Sequence, residues 1–223
     1  MLTETTMQVL KNFATINPNI VIETGNVIKT MSEGKNIVSR SELDVEFTKN
    51  FGIFDLNQFL ATLSLVDSPN LKFEDDYVVI SDSVGRTRIK YYYSSPEVLT
   101  TPTRDVVLPD AEVKFTLDHD TLAKVRRAAS VLGHEFVNVT CIDNVVCLSV
   151  TDTSDATANA YTVDVDGTYT KENFNLVFKI DNLKMIEGDY DVSISSKLVS
   201  HFVNKTNNIE YWVALEKTST YGA

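Results

Sequence analysis

No apolar run in the 223-residue chain approaches the roughly 20 residues that a membrane span needs, and the first residues, Met1 to Lys11, interleave Thr, Glu and Gln with apolar positions, unlike a secretory signal. Both absences point to a cytoplasmic protein. Cysteine is scarce: the two that occur, Cys141 and Cys147, share the hairpin-like stretch NVTCIDNVVCLSV, where a bridge would staple almost nothing and buried, reduced thiols are expected. On the same grounds the Asn-x-Thr sequons at Asn138 and Asn204 are chance matches. The three histidines, His119, His134 and His201, lack metal-ligand spacing, and the cysteines fit no zinc arrangement, so no metal site is expected. The eight glycines fall mostly at turns and build neither a phosphate-cradling loop nor a Gly-x-Ser-x-Gly elbow. Acids such as Glu74, Asp75 and Asp76 read as a hairpin tip. With no catalytic constellation and no cofactor motif, the expectation is a protein that is not an enzyme.

Positive charge is the other shortage. Lys and Arg number 20 against 31 Asp and Glu, a net charge of −11. A protein that bound duplex DNA by its outer surface would carry the opposite balance, because phosphate neutralisation supplies most non-specific affinity. What remains is the composition of a globular chain, 43% hydrophobic and 23% charged. Its length suits one large domain or two small ones.

One small pattern, a helix followed by a hairpin, recurs four times. The first copy is a helix at about Thr3 to Asn17, with Met7, Leu10, Phe13, Ala14 and Ile16 on one face, followed by NIVIET, a Gly25-Asn26 turn and VIKTM as a hairpin. The second starts at the cap Asp55, carries Leu56, Phe59, Leu60, Leu63 and Val66 along one stripe, and continues into the hairpin NLKFEDDYVVIS. The third begins near Asp118 and Asp120, places Leu122, Val125, Ala129 and Leu132 at helical spacing, and ends at Gly133 before FVNVTCIDNVVCLSV. In the fourth, FNLVFKIDNLKMIEGDY reads as a strand and a short helix closed by Gly188, followed by DVSIS, SHFVNK and IEYWVALEK as strands. The copies pair into two similar α+β halves. Between them TTPTRDVVLPDAEVKF, with Pro102 and Pro109, reads as an extended connector. The expected domains are residues 1–110 and 111–223.

Each helix buries one face on strands, so the other face holds the functional information. On the third helix Lys124 and Arg127 project away from the apolar stripe and Arg126 lies on its flank. The first helix turns Gln8, Lys11 and Thr15 outward. The second offers Asn57, Gln58 and Ala61, and the fourth carries Lys184. There is no aromatic interleaving to stack unpaired bases and no residue set to read base edges, so sequence-independent contact with a duplex would fit.

The segments LKNFATIN (Leu10 to Asn17), FDLNQFLATLSLV (Phe54 to Val66) and YWVALEKTST (Tyr211 to Thr220) resemble the sliding clamps of T-even-type bacteriophages. FNLVFKIDNLKMIEGDY adds a weaker similarity. The resemblance implies two similar domains of the DNA-clamp fold, each with two helices on an antiparallel sheet layer, and three subunits closed head to tail into a pseudo-sixfold ring. Such a ring encircles duplex DNA and tethers the replicative DNA polymerase in the cytoplasm of the infected bacterial host. An ATP-driven clamp loader is implied as a partner, late-transcription proteins are further candidates, and no cofactor is needed. The family places positive charge on the hole and negative charge outside, which reconciles a net −11 with DNA. By the same resemblance, Lys11, Lys124, Arg126, Arg127 and Lys184 are the candidate DNA-facing residues, and Val107, Leu108, Pro109 and Trp212 the candidate docking site for partner peptides. The stretch from Gly85 to Glu112, and the ending with Lys217 and Tyr-Gly-Ala, depart from the family. The alternative is a strand-rich oligomeric phage structural protein that never meets DNA.

Overall fold

The computed structural model describes residues 2–222 except Thr153, Ser154, Ala156 and Glu172; Met1 and Ala223, both read above, lie outside the described residues. The chain divides into two compact units, Met1–Arg104 and Asp105–Ala223.

The first unit opens with helix α1 (Glu4–Ile16). Thr3 caps it, its hydroxyl accepting from the Thr6 N–H at 3.1 Å and donating to Asp44 Oδ1 at 2.7 Å, so one side chain starts the helix and ties it to a strand. Val9, Leu10, Phe13, Ala14 and Ile16 are buried at three- and four-residue spacing. Strands β1 (Ile20–Ile22), β2 (Gly25–Met31), β3 (Ile37–Phe47) and β4 (Phe51–Ile53) follow, then α2 (Leu56–Leu63), β5 (Asn70–Phe73), β6 (Tyr77–Ser81) and β7 (Arg88–Tyr92). Asp55 caps α2 by accepting from the Gln58 N–H at 2.8 Å. The hairpin expected from NLKFEDDYVVIS is β5 and β6, with Asn70 opposite Ser81.

The first hairpin is not as the sequence suggests. β1 pairs with β4, Val21 opposite Gly52, and β2 pairs with β3 across a shift between Gly25 and Val27. The chain passes from one ladder to another at Gly25, whose φ of 115° suits glycine, while the Thr24 N–H and hydroxyl are held by Asn50 Oδ1 at 2.6 and 2.9 Å. Phe47, Phe51, Phe73 and Tyr93 of this unit form an aromatic cluster, with contacting ring centroids 4.8 to 5.9 Å apart.

The second unit runs through β8 (Val113–Leu117), α3 (His119–Leu132), β9 (Phe136–Ile142), β10 (Val145–Val150), β11 (Tyr161–Val165), β12 (Gly167–Tyr169), β13 (Phe174–Lys179), β14 (Tyr190–Ser195), β15 (Val199–Asn204), β16 (Ile209–Ala214) and β17 (Thr220–Tyr221). One set of strands pairs in the order β11, β10, β9, β13, β17, and a second set as β12, β8, β14, β15, β16; every pair is antiparallel. The sets meet through Phe178 and Phe202, 5.9 Å apart and edge to face, with Leu122, Val125 and Ala129 of α3 closing the core. Burying each large apolar side chain contributes about 1.5 to 3 kcal/mol. The β9–β10 turn uses Asp143 and Asn144 at φ 48° and 65°, the left-handed pair that a two-residue hairpin requires. Cys141 lies opposite Val146 and Cys147 opposite Thr140, so the two thiols point to opposite faces of the sheet; both are free.

The repeat is visible in the pairing. In each unit the strand after the first helix pairs with the strand before the second helical position, and the three strands that follow that position form a meander. The fourth helix, however, is a single 3₁₀ turn, Ile180–Asn182. Three α-helices are present among the described residues.

Candidate nucleic-acid interface

The outward face of α1 carries Glu4, Gln8, Lys11 and Thr15, all exposed and spaced so that they share one side of the helix. Glu4 sits in the first turn, where the helix dipole favours an acid, and leaves Lys11 as the positive group midway along. α2 shows Asn57, Gln58 and Ala61 to the surface and offers hydrogen-bonding groups without charge.

α3 is the most basic of the three. Asp118 caps it, taking the Thr121 N–H at 2.7 Å and the Thr121 hydroxyl at 2.8 Å. These bonds, with the charge of Lys124 adding to them, hold the Asp118 carboxyl below its ordinary range. Gly133, at φ 72°, ends the helix and its N–H bonds the Ala129 carbonyl. Between the caps, Ala123, Lys124, Arg127 and Ser130 are exposed and Val125 and Ala129 are buried. Lys124 and Arg127, three residues apart, therefore lie together on the solvent side.

Arg126 differs from its neighbours. Its Nη2 donates to the Leu183 carbonyl and, at 3.4 Å, to the Met185 carbonyl. Burial lowers its guanidinium pKa from the ordinary value, opposed by Tyr190, Tyr211 and Glu187 nearby. This explains how residues 183–186 do without a helix. Arg126 takes carbonyls of that segment, the Ile186 N–H donates to the Tyr211 hydroxyl at 3.1 Å, and the Tyr190 hydroxyl donates to the Ile186 carbonyl. Side chains thus satisfy the backbone groups that a helix would have paired internally. Arg126 belongs to the fold more than to a phosphate-facing surface, and Lys184 lies exposed on an extended segment between buried Leu183 and Met185, not on a helix.

The residues expected to dock partner peptides have distinct settings. Val107 is 82% exposed, while Leu108 and Pro109 are half-buried, in a stretch without assigned ladder pairing. Trp212 on β16 stacks on His201 of β15, centroids 4.6 Å apart at 7°, and His201 Nε2 contacts Glu210 Oε2 at 2.8 Å. The indole is half-buried and its Nε1 has no hydrogen-bond partner among the described residues. No helix among the described residues is long and apolar enough to cross a membrane, and no group of three or more His, Cys, Asp or Glu among them could hold a metal.

Comparison with known proteins accounts for both units. Residues 3–98 match the family model described as DNA polymerase processivity factor, and residues 114–217 match that of the gp45 sliding clamp, C terminal. The sliding clamp of Vibrio phage KVP40 is 29% identical over 220 residues, covering 96% of this chain and 98% of that protein. The sliding clamp of Enterobacteria phage T4 is 27% identical over 227 residues, covering 99% and 98%. Among solved structures, the A. fulgidus PCNA bound by the C-terminal region of FEN-1 superposes with a TM-score of 0.74 at 14% identity over 99% of this chain and 98% of that one. PCNA from Thermococcus kodakaraensis gives 0.68 at 10% identity, covering 94% and 95%. At such identities the structural likeness shows a shared α+β clamp fold.

Proposed function

Because this chain belongs to the DNA polymerase sliding clamps, the processivity factors of T-even-type phages, we propose that three copies close head to tail into a ring around duplex DNA. The protein tethers a polymerase to its template, so its work is mechanical and needs no catalytic group. In this reading the outward faces of α1 and α3 line the hole, where Lys11, Lys124 and Arg127 make weak, sequence-blind phosphate contacts that let the ring slide. Lys184 adds a contact from the segment beside α3. The observation that carries this reading is the placement of Lys124 and Arg127 side by side on a solvent-facing helix in a chain of net charge −11.

Acidic surface outside the hole repels DNA at long range and screens away with salt. Spontaneous threading is therefore poor, and an ATP-driven loader that opens the ring is the partner this implies; the host cytoplasm during infection is the place of action. Partner peptides, including that of the polymerase, dock along Val107, Leu108 and Pro109, where an exposed apolar residue lies on extended chain, and Trp212 supplies a rigid aromatic surface in the same unit. Late-transcription proteins are candidates for the same site. Sedimentation equilibrium at several concentrations tests the assembly. The expected mass is three times the 24.9 kDa of one chain, and a monomer at every concentration would contradict it.

A further inference from the structure

The interleaving of cations and aromatic rings that the helices lack is present on the outer face of the β5, β6 and β7 sheet of the first unit. The strands pair with Tyr77 opposite Tyr92, Val79 opposite Lys90 and Ser81 opposite Arg88, and Lys72 lies opposite Val79 on the other side. Side chains alternate between the two faces of a strand. Val78 and Ile80, both buried, therefore turn inward with Ile89 and Tyr91, and Tyr91 is anchored there by the Phe59 ring, edge to face at 5.1 Å, and by donating to the Asp55 carbonyl at 3.1 Å. The same alternation turns Arg88, Lys90 and Tyr92 outward, all exposed, beside Tyr77. Tyr92 is 64% exposed. Its ring leans on Tyr77, centroids 5.4 Å apart at 59°, and Lys90 Nζ lies 4.7 Å from the Tyr77 centroid, so Tyr77 braces both neighbours.

The acids in the turns at the two ends of this sheet are mostly engaged. Glu74 holds Lys72 at 2.6 Å and Asp75 holds Lys49 at 2.6 Å, and Asp82 accepts the Arg86 N–H at 2.8 Å and the Thr87 N–H at 3.1 Å; Asp76 is the remaining one, exposed in the β5–β6 turn. Arg88 and Lys90 form no ion pair among the described residues, so their charges face solvent. From Arg88 to Tyr92 the row spans about 14 Å at about 3.4 Å per residue. An acidic peptide would use the two cations and leave Tyr92 idle, and a duplex keeps the faces of its bases stacked inside. An unpaired strand offers phosphates and base faces in alternation and engages both kinds of side chain. We propose that this sheet face binds single-stranded DNA, with a base stacked on Tyr92 and the flanking phosphates held by Arg88 and Lys90. DNA as the polymer rests on the proposed function; the contact itself does not. Ladder bonds lie in the plane of a sheet and side chains stand out of it, so a strand paired at the β7 edge would leave this face open.

The test uses the full-length chain and a labelled oligothymidylate at low salt, without loader or ATP. Fluorescence anisotropy is expected to show saturable binding, with log K falling against log salt at a slope of about −1.4 for two phosphates. With one 5-iododeoxyuridine in the oligonucleotide, irradiation is expected to crosslink it to Tyr92, located by mass spectrometry of the digested adduct. Tyr92→Ala, and Arg88→Ala together with Lys90→Ala, each lower the affinity about tenfold, whereas Tyr92→Phe, which keeps the stacking face, matches the unaltered chain; circular dichroism serves as the control for folding. Crosslinks confined to α1 or α3 would overturn the proposal in favour of the hole, and equal displacement by an oligoglutamate would overturn it in favour of an acidic peptide. No saturable binding, or unaltered affinity in the Ala variants, would overturn it outright. A chain that stays monomeric yet crosslinks at Tyr92 would sink the ring and keep this contact.

Discussion

The Arg126 guanidinium donates to the backbone carbonyl of Leu183, which separates Arg126 from Lys124 and Arg127 although the three nearly adjoin in sequence. Replacing Arg126 with Ala leaves the carbonyls of Leu183 and Met185 without their donor. The expected cost is about 2 kcal/mol, the range for losing a charge-assisted bond to a part-buried group. Urea unfolding checks this, with a lowered midpoint at unchanged slope.

Charge reversal at Lys124 and Arg127 has the opposite profile. Both side chains are exposed, so the double change to Glu shifts stability by no more than about 0.5 kcal/mol per site. Polymerase run length on primed circular template falls several-fold, and more steeply at low salt, where phosphate contacts count most. Mass and run length are measured on the same preparation; an unchanged run length counts against a DNA-facing α3.

Acid stability follows from the cap of α3. The folded Asp118 carboxyl titrates below its unfolded value because Thr121 donates to it twice, so its contribution is fully present above the unfolded pKa of about 3.9 and is lost as pH falls through the folded one. Glu112 has the same sign: burial opposes ionisation, but the Ser196 N–H and hydroxyl, both at 2.8 Å, outweigh it and keep its pKa below the ordinary value. Asp118→Asn preserves most of the cap and removes its pH dependence. Thermal melts from pH 7 to pH 3 should show wild-type stability falling more steeply than the variant's below about pH 4.

A change at Val107 tests the proposed docking site apart from folding. Being 82% exposed, the residue can become Asp without loss of stability. The affinity of a peptide from the polymerase's docking segment is expected to fall about tenfold, near 1.4 kcal/mol, read by calorimetric titration. Trp212→Ala is less informative, since it also removes the stack on His201.

The helices were legible because their signals are local. Asp55 caps where a cap was read, Thr3 and Asp118 cap at the expected helix starts, and Leu10, Phe13, Ala14 and Ile16 of the α1 stripe and Leu122, Val125 and Ala129 of the α3 stripe are buried, while Met7 and Leu132 are half-buried. The misreadings are non-local. Gly25-Asn26 looks like a hairpin turn, yet the partner of β1 is β4, which no turn signal announces. Leu183 and Met185 are buried at the two-residue spacing of extended chain; Arg126 and Tyr190 donate to carbonyls of this segment and the Tyr211 hydroxyl accepts from the Ile186 N–H, and of these Arg126 and Tyr211 are distant in sequence. The row of Arg88, Lys90 and Tyr92 lies in a stretch that departs from the family, and it gains Tyr77 only when β6 meets β7.

The most direct measurement of the central claim compares retention on circular and linear DNA. The clamp is loaded on a nicked circle by its loader and ATP, the free protein is removed, and half the sample is linearised. Topological tethering predicts that the circle retains the clamp through a salt wash while the linear molecule loses it from its ends. Equal retention on both forms, or equal loss from both, would contradict a closed ring around the duplex.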